Sequence, residues 1–367
     1  MSDRSALKEI EMSFFQEDSE QPIPPDNVVA YNELRSCADL NRMYGAGSGK
    51  LELQPDFQRE VVWKRSEQAR FIDSLVKRLP IPSMCFSLDA KTQKWKVIDG
   101  LQRMTTITQF LGTAEWRIDN LDDIHPLLKG ATNYQLKNGD EAQKSIYASV
   151  EDISIPITVI RCDYENDSHT RYLFTIFNRL NSGGVRLNNQ EIRNCIYSGH
   201  FNDELKKFDR TDRNWSQIKR NIWGPVDRFR SVEVALRALA FTAGLKNYEG
   251  NLAGFLNIFM QKASKASVEQ TAEVITQLTE GAEGAAVVLR ALGSTKKALT
   301  LVEAVLVGVL SNVDTIRDRA DRDQFLVDAG ARLLREPEFA EGARYALASA
   351  KTVKARLEKA VAIFGRP

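Results

Sequence analysis

The sequence is poor in the residues that most metal centres and disulfide frameworks use. It has three histidines and four cysteines among 367 residues, no two histidines stand four positions apart, and no C-x-x-C pair occurs. These absences exclude an H-E-x-x-H metal site and a thioredoxin-type centre, and they argue against a histidine-rich HNH-type nuclease centre. The four cysteines are predicted to be reduced residues of the core.

An excess of charge of one sign and long apolar runs are also missing. Fifty Lys and Arg residues stand against 49 Asp and Glu residues, which leaves a net charge of +1. Any binding to nucleic acid must therefore come from a local patch rather than from the whole surface. No apolar run reaches about 18 residues, and residues 1–20 show neither a basic leader nor an apolar signal core. The sequence predicts a cytoplasmic protein without a membrane partner.

The composition that remains is that of a folded protein of about two domains. Apolar residues make up 43% and charged residues 27% of the sequence. Residues 1–27 are acidic and contain prolines, so we predict a loose tail there. Strand and helix patterns mix over residues 28–200, whereas residues 201–367 are helical in pattern. The predicted fold class is α/β or α+β, with a mostly α-helical C-terminal half.

Local patterns predict the order of the elements. The expected elements are a helix over 28–45, a helix over 66–79, a hairpin of strands over 81–89 and 94–99, a helix from 101, a strand over 153–164, and amphipathic helices over 226–363 that break near Gly244, Gly254, Gly281, Gly293 and Gly330. The glycines of GAGSG at 45–49 are interpreted as a turn. Tyr44 and Leu51 stand where a P-loop requires glycine and a hydroxyl residue, so a P-loop is rejected.

The segment V-I-D-G-L-Q-R-M-T-T at 97–106 places an acidic residue and a glycine where a strand becomes a helix. The first amides of a helix have no intrahelical partner and attract phosphate, and Gly100 would allow a ligand to approach them. Arg103 would reach the same position and bind phosphate, while Asp99 would hold a divalent cation or orient a water molecule. The alternative is structural: Asp99 caps the helix and pairs with Arg103.

Two further segments carry polar residues in apolar surroundings. In F-Q-R at 57–59, Gln58 and Arg59 interrupt a strand-like stretch, and an ion pair of Arg59 with Asp56 or Glu60 is the structural alternative. In F-N-R-L-N-S-G-G at 177–184, Asn178 and Asn181 lie three residues apart on one helix face. Local capping is the alternative for this pair.

The three segments together resemble the N-terminal domain family of GmrSD-type restriction endonucleases, also described as ParB-like nuclease domains. The resemblance runs in order through F-Q-R and W, I-D-G-x-Q-R-x-T-T, F-N-x-L-N-S-G-G-V-x-L and Q-E-I-R, over about residues 50–200. The resemblance implies a ParB/sulfiredoxin-like core that binds a nucleoside triphosphate, which family members hydrolyse. It also implies a role in bacterial defence against phage or modified DNA. Mg²⁺ or another divalent cation is the implied cofactor.

Carried over to this sequence, the motifs give the candidate site residues. The resemblance implies catalytic roles for Asp99, Arg103 and Arg59, a metal ligand in Asp99, and nucleotide contacts by Gln58, Gly100, Gln102, Asn178, Arg179, Asn181 and Gly183. Residues 201–367 contain no histidine, unlike the C-terminal His-Asn-His nuclease domains of larger family members. A separate nuclease subunit would then be the partner, and a homo-oligomer is also compatible with the helical half. A non-catalytic switch that binds nucleotide or DNA and a metal-dependent DNA endonuclease stay open as alternatives.

One stretch of the second half offers a local basic patch. Residues 205–237 contain nine Lys or Arg residues and four acidic residues, with Trp215 and Trp223 between them. Lys219, Arg220 and Arg213 are the candidate DNA contacts, with tryptophans available to stack on bases. The alternative is a solvated helical face whose tryptophans belong to the core.

Overall fold

The structure is a computed structural model that describes residues 24–45, 49–53, 63–180, 188–222, 228–293, 297–339 and 349–366. Two compact units divide the chain between Leu187 and Asn188. We call residues 22–187 the α/β unit and the part from Asn188 onward the helical unit. The predicted boundary at residues 200 and 201 lies inside the helical unit and stays a prediction, and most of the predicted tail, residues 1–23, lies outside the described residues.

A five-stranded mixed sheet organises the α/β unit, in the order β1-β5-β3-β4-β2. The strands are β1 (Val29–Ser36), β2 (Leu51–Glu52), β3 (Met84–Asp89), β4 (Trp95–Asp99) and β5 (Ser154–Cys162). β1 is antiparallel to β5 and β3 is antiparallel to β4, whereas β3 runs parallel to β5 and β2 parallel to β4. All six residues of β3 are buried, including the polar Ser87 and Asp89, and the predicted hairpin is confirmed.

Helices complete the α/β unit. They are α1 (Cys37–Tyr44), α2 (Arg65–Val76), α3 (Leu101–Leu111), α4 (Asn133–Asn138), α5 (Glu141–Asp152) and α6 (Asp167–Leu180). Apolar residues of α2 and α3 pack with those of the strands into one core, which includes Ile72, Leu75, Met104 and Ile107. The helices predicted over 66–79 and from 101 are thereby confirmed.

Residues 28–45 do not form the single helix that the local pattern predicts. β1 occupies the first part of the segment and α1 begins only at Cys37. β1 pairs with β5 along its whole length, so the sheet supplies backbone partners that override a weak local preference. The Ser36 hydroxyl then accepts a hydrogen bond from the Asp39 amide and starts the helix.

The helical unit contains ten described helices. They are α7 (Asn189–Ile196), α8 (His200–Thr211), α9 (Arg213–Ile222), α10 (Arg230–Gly244), α11 (Leu252–Ser264), α12 (Val268–Ala291), α13 (Leu299–Leu310), α14 (Val313–Arg317), α15 (Arg322–Leu334) and α16 (Ala350–Phe364). Nearly every residue of α13 is buried, and α10, α12 and α16 pack against it. The α/β core with a mostly helical C-terminal half is therefore confirmed, while the comparison with ParB and sulfiredoxin stays a prediction.

Three of the five glycines expected to break helices lie inside them. Gly254, Gly281 and Gly330 belong to α11, α12 and α15. A Cβ on Gly281 would collide with Leu310, and a Cβ on Gly330 would collide with Val288. These two glycines therefore serve close helix packing, which a single sequence does not distinguish from a break. In the parts of the chain that the structure describes, no helix is both long and apolar enough to cross a bilayer.

Candidate functional site

The turn between β4 and α3 contains the most informative of the predicted motifs. β4 ends at Asp99, and Gly100 turns the chain in the left-handed region (φ 96°, ψ 15°) so that α3 begins at Leu101. A Cβ on Gly100 would lie 2.6 Å from Cγ of Met84. Backbone conformation and packing therefore both require glycine, whereas the predicted approach of a ligand stays a prediction. No side chain caps α3, so Asp99 does not have the capping role of the structural alternative.

Asp99 and Arg103 do form the ion pair of that alternative. Nη2 of Arg103 lies 2.9 Å from Oδ2 of Asp99. Nη1 of Arg103 also donates to the carbonyl of Pro82 and, at 3.4 Å, to that of Ser83. Burial lowers the pKa of Arg103, and Asp99 acts against that shift. Arg103 is thus fixed between β3 and α3 and holds one carboxylate oxygen in place.

The other carboxylate oxygen of Asp99, Oδ1, is open to a ligand. The Asp99 side chain is 36% exposed, against 14% for Arg103. Within the described parts of the chain, only Oδ2 of Asp99 has a hydrogen-bond partner. Oδ1 is therefore available to a cation, a water molecule or a ligand hydroxyl at the edge of the sheet.

Gln102 connects this turn to the segment that carries F-Q-R. Its Oε1 accepts a hydrogen bond from the amide of Trp63 at 3.4 Å, and Trp63 packs edge-on against Phe71. Before the segment, β2 pairs with β4. The chain therefore enters and leaves residues 54–62 beside β4 and α3. Gln58 and Arg59 themselves lie outside the described residues.

The asparagine motif is described only in part. α6 packs against β4, and Nδ2 of Asn178 donates to the carbonyl of Phe174 at 3.1 Å. Oδ1 of Asn178 is buried without a hydrogen-bond partner. A buried acceptor without a donor is costly, so this atom suits a ligand amine, hydroxyl or water. Arg179 is exposed. Asn181 and Gly183 lie outside the described residues.

Neither thiols nor histidines supply chemistry at this turn. Cys85 lies opposite Asp99 in the β3–β4 ladder, and burial together with Asp99 raises the pKa of its thiol to about 12. A thiolate nucleophile is therefore disfavoured there. His125 and His169 accept hydrogen bonds from backbone amides and serve local structure. All four cysteines are buried thiols, as predicted.

The motif Q-E-I-R, to which sequence reasoning gave no role, forms a buried ionic chain in the helical unit. Nη2 of Arg193 lies 2.7 Å from Oε2 of Glu233, and Nη2 of Arg237 lies 2.6 Å from Oε1 of Glu233. Arg237 continues to Glu303 at 3.6 Å, and Arg356 pairs with Glu303 at 3.1 Å. We call these five residues the Arg–Glu chain. It joins α7, α10, α13 and α16 inside the unit.

The electrostatics of the Arg–Glu chain are those of a structural element. Burial acts to raise the pKa of Glu233, but Arg237 and Arg193 hold it at about 2. Burial lowers the pKa of Arg193, and Glu233 opposes that shift. All residues of α7 from Gln190 to Ile196 are buried, the charged Glu191 and Arg193 included. No signal within Q-E-I-R itself indicates that its charges are buried.

The basic stretch proves to be largely paired, and its described tryptophan is buried. Trp215 is 0% exposed, and its Nε1 donates to Oδ1 of Asp209 at 2.8 Å. Nζ of Lys219 pairs with Oδ2 of the same aspartate at 3.2 Å. Trp215 thus belongs to the core, as the structural alternative held, and Lys219 is engaged inside the unit. Arg213 and Arg220 are exposed on α9. Trp223 lies outside the described residues.

The fold defined so far is a mixed α/β domain followed by helices, with an uncapped helix start beside an arginine-held carboxylate. Residues 43–198 match the family model of the GmrSD restriction endonuclease, N-terminal domain. The resemblance inferred from the motifs is confirmed as a match to this family model over these residues. The match continues past the α/β unit and includes α7 with its Q-E-I-R motif. No curated protein matches the chain.

Proposed function

We propose that the α/β unit is a nucleotide-binding phosphohydrolase module of a bacterial restriction or defence system that acts on DNA. The observation that carries this proposal is the turn at Gly100, where an uncapped helix start adjoins a carboxylate with one oxygen fixed by Arg103 and the other open. Helix amides favour a phosphate at such a position. The matched family, that of a restriction endonuclease, supports DNA as the target of the system.

Each residue of the turn has a role that follows from its contacts. The first amides of α3 would seat a phosphate, and Oδ1 of Asp99 would hold a metal ion or the attacking water. Arg103, already engaged with Asp99, would act as a positioning residue for that carboxylate rather than as the phosphate ligand first expected. Gln102 and Asn178 would orient the nucleotide. Gln58, Arg179, Asn181 and Gly183 keep the nucleotide-contacting roles that the family resemblance implies, and Arg59 keeps its implied catalytic role.

The described side chains suit an Mg²⁺ ion that is bound jointly by Asp99 and a nucleotide better than a metal ion that is held by protein side chains alone. Among the described residues, no group of three His, Cys, Asp or Glu side chains is arranged to hold a metal ion. Mg²⁺ commonly binds one or two carboxylates together with substrate phosphates and water. Asp99 with a bound triphosphate meets that requirement, and the ion would supply neutralisation of phosphate charge.

A second candidate is a non-catalytic switch that binds nucleotide or DNA and recruits a separate nuclease subunit. The engagement of Arg103 favours it, because this guanidinium already donates to a carboxylate and two carbonyls. It has little remaining capacity to stabilise charge that develops in a transition state. Turnover would therefore depend on cations other than Arg103, such as Arg59, for which the family resemblance implies a catalytic role.

The deciding experiment incubates the full chain with Mg²⁺, plasmid DNA and each nucleoside triphosphate, and measures phosphate release and plasmid cleavage. We expect phosphate release that falls at least about 100-fold in Asp99→Asn. The matched control is Asp123→Asn, because Asp123 pairs with Arg70 at 2.8 Å but both side chains are more than half exposed. Unchanged turnover in a folded Asp99→Asn protein would refute the site.

The same assay separates the alternatives. Tight, saturable nucleotide binding without turnover would support the switch, and plasmid cleavage that needs metal but no triphosphate would support an endonuclease. Arg103→Ala is expected to abolish hydrolysis with the fold intact. Arg103→Lys should retain part of the activity, since a lysine can still pair with Oδ2 of Asp99 but cannot form the full set of guanidinium contacts.

A further inference from the structure

Helix α9 presents a stripe of exposed basic residues. Its sequence, RNWSQIKRNI, contains no Asp or Glu. Arg213, Gln217 and Arg220 follow one another at i, i+4 and i+7 and are all exposed, while Trp215 and Ile218 are buried on the other side of the helix. Arg290 of α12 joins this face, because its Nη2 donates to Oε1 of Gln217 at 3.1 Å. We call these four residues the α9 stripe.

The three arginines of the α9 stripe differ from the cations around them. Most neighbouring cations pair with carboxylates: Lys206 with Asp203, Lys207 with Glu204, Lys219 with Asp209, Arg228 with Glu191, and Arg237 with Glu233. Within the described parts of the chain, Arg213, Arg220 and Arg290 pair with no carboxylate. Three like charges around one neutral amide repel each other, so a polyanion would relieve this repulsion.

We propose that the α9 stripe binds the phosphate backbone of duplex DNA. Guanidinium groups form forked hydrogen bonds with phosphate oxygens. Seven residues of helix separate Arg213 from Arg220 by about 10 Å, which is comparable with the major groove width of about 12 Å. The two arginines can therefore contact phosphates on opposite sides of a groove, with Arg290 beside them. The proposal rests on the proposed function only in taking DNA as the partner.

The number of phosphate contacts can be counted from the salt dependence of binding. Each contact contributes about 0.9 to the slope of log K against log salt concentration. We compare the full wild-type chain with Arg213→Gln/Arg220→Gln/Arg290→Gln on a fluorescent duplex of about 30 base pairs by anisotropy. The variant should bind about 10-fold or more weakly at moderate salt, and its slope should be smaller by about 2.7. Glutamine keeps a long polar stem on an exposed helix face, and circular dichroism verifies the fold.

The matched control removes three other arginines of the helical unit, in Arg317→Gln/Arg319→Gln/Arg322→Gln. These pair with Glu280, Asp321 and Glu283, and the net charge changes by the same amount. The control should keep the wild-type slope. The proposal is overturned if the stripe variant keeps the wild-type slope, if the control loses as much, or if the wild type binds no DNA at low salt.

Two further measurements keep the outcomes separate. An RNA duplex of equal length that binds more tightly through the same arginines would overturn the assignment of DNA as the partner. Triphosphate hydrolysis is measured on the same preparations. If the protein does not hydrolyse triphosphates but its DNA binding still depends on the α9 stripe, only the proposed function is contradicted. If the protein hydrolyses triphosphates but binds DNA equally well without the α9 stripe, only the proposal for the stripe is contradicted.

Discussion

Both units contain a carboxylate held by arginine, but in opposite environments. In the α/β unit, the Asp99 side chain is 36% exposed and only one of its oxygens is bound by Arg103. In the helical unit, both oxygens of Glu233 are occupied, one by Arg193 and the other by Arg237. The first carboxylate retains capacity for a ligand and the second retains none.

The role of an Arg–carboxylate pair therefore depends on how deeply the pair is buried and on whether a carboxylate oxygen still lacks a hydrogen-bond donor. A buried pair loses the hydration of both charges and persists only when nearly every oxygen finds a donor. A pair at the surface loses less hydration and can leave an oxygen to a metal ion or a water molecule. Asp99 therefore keeps an oxygen for the role that we propose for it, whereas Glu233 holds α7 and α10 together.

The largest expected effect comes from the same chemical change in both pairs, a carboxylate replaced by an amide. Glu233→Gln should lower the free energy of unfolding by about 3–5 kcal/mol, because two buried arginines lose their shared counter-ion. Asp99→Asn should cost about 1 kcal/mol or less. Urea unfolding of each variant measures both quantities. Equal costs at the two positions would contradict the distinction between a structural and a functional pair.

Low pH should weaken the ion pairs of Glu233 with Arg193 and Arg237. Because the pKa of Glu233 falls from an ordinary 4.5 to about 2, its contribution is complete above about pH 4.5 and is lost as the pH falls towards 2. Between about pH 6 and pH 3, the wild type should lose about 2 kcal/mol more stability than Glu233→Gln. Unfolding midpoints across this range provide the measurement, and parallel pH profiles would count against the assignment.

The smallest expected effect concerns the turn that places Asp99. Gly100 and Gly293 both have positive φ angles, 96° and 89°, but among the described residues only Gly100 of the two has a neighbour where a Cβ would lie. Gly293→Ala should cost about 1 kcal/mol for backbone strain alone. Gly100→Ala should cost about 1 kcal/mol more, because Met84 must move. Thermal unfolding of both variants checks the difference. Equal decreases of the unfolding midpoint would show that contact with Met84 adds no cost at Gly100.

Much of the α/β unit was predictable because its signals are local. The strand that ends at Asp99, the glycine that follows it and the helix from Leu101 lie within a few residues of each other. In the helical unit, the spacing of Asn188 and Glu191 is likewise that of a capping box, and both of its hydrogen bonds are present. Signals of this kind depend on backbone geometry over one helical turn.

Features that depend on distant residues were missed or misjudged. β1 was predicted as helix because its partner β5 lies far along the chain. The phosphate-binding role of Arg103 stays a prediction, but the sequence did not show that the carbonyls of Pro82 and Ser83 accept hydrogen bonds from its guanidinium. The Arg–Glu chain received no role because nothing in Q-E-I-R shows that its charges are buried.

The sequence by itself determined the α/β order of the first half, the match of residues 43–198 to the family model, and the strand, glycine and helix around Asp99. These follow from residue types close together in the chain, whose backbone preferences act before any packing. Only the tertiary structure decided which arginine holds which carboxylate: Arg193 meets Glu233 across 40 residues and Arg356 meets Glu303 across 53. The strength of such pairs depends on the water that folding removes around them, which residue order does not specify.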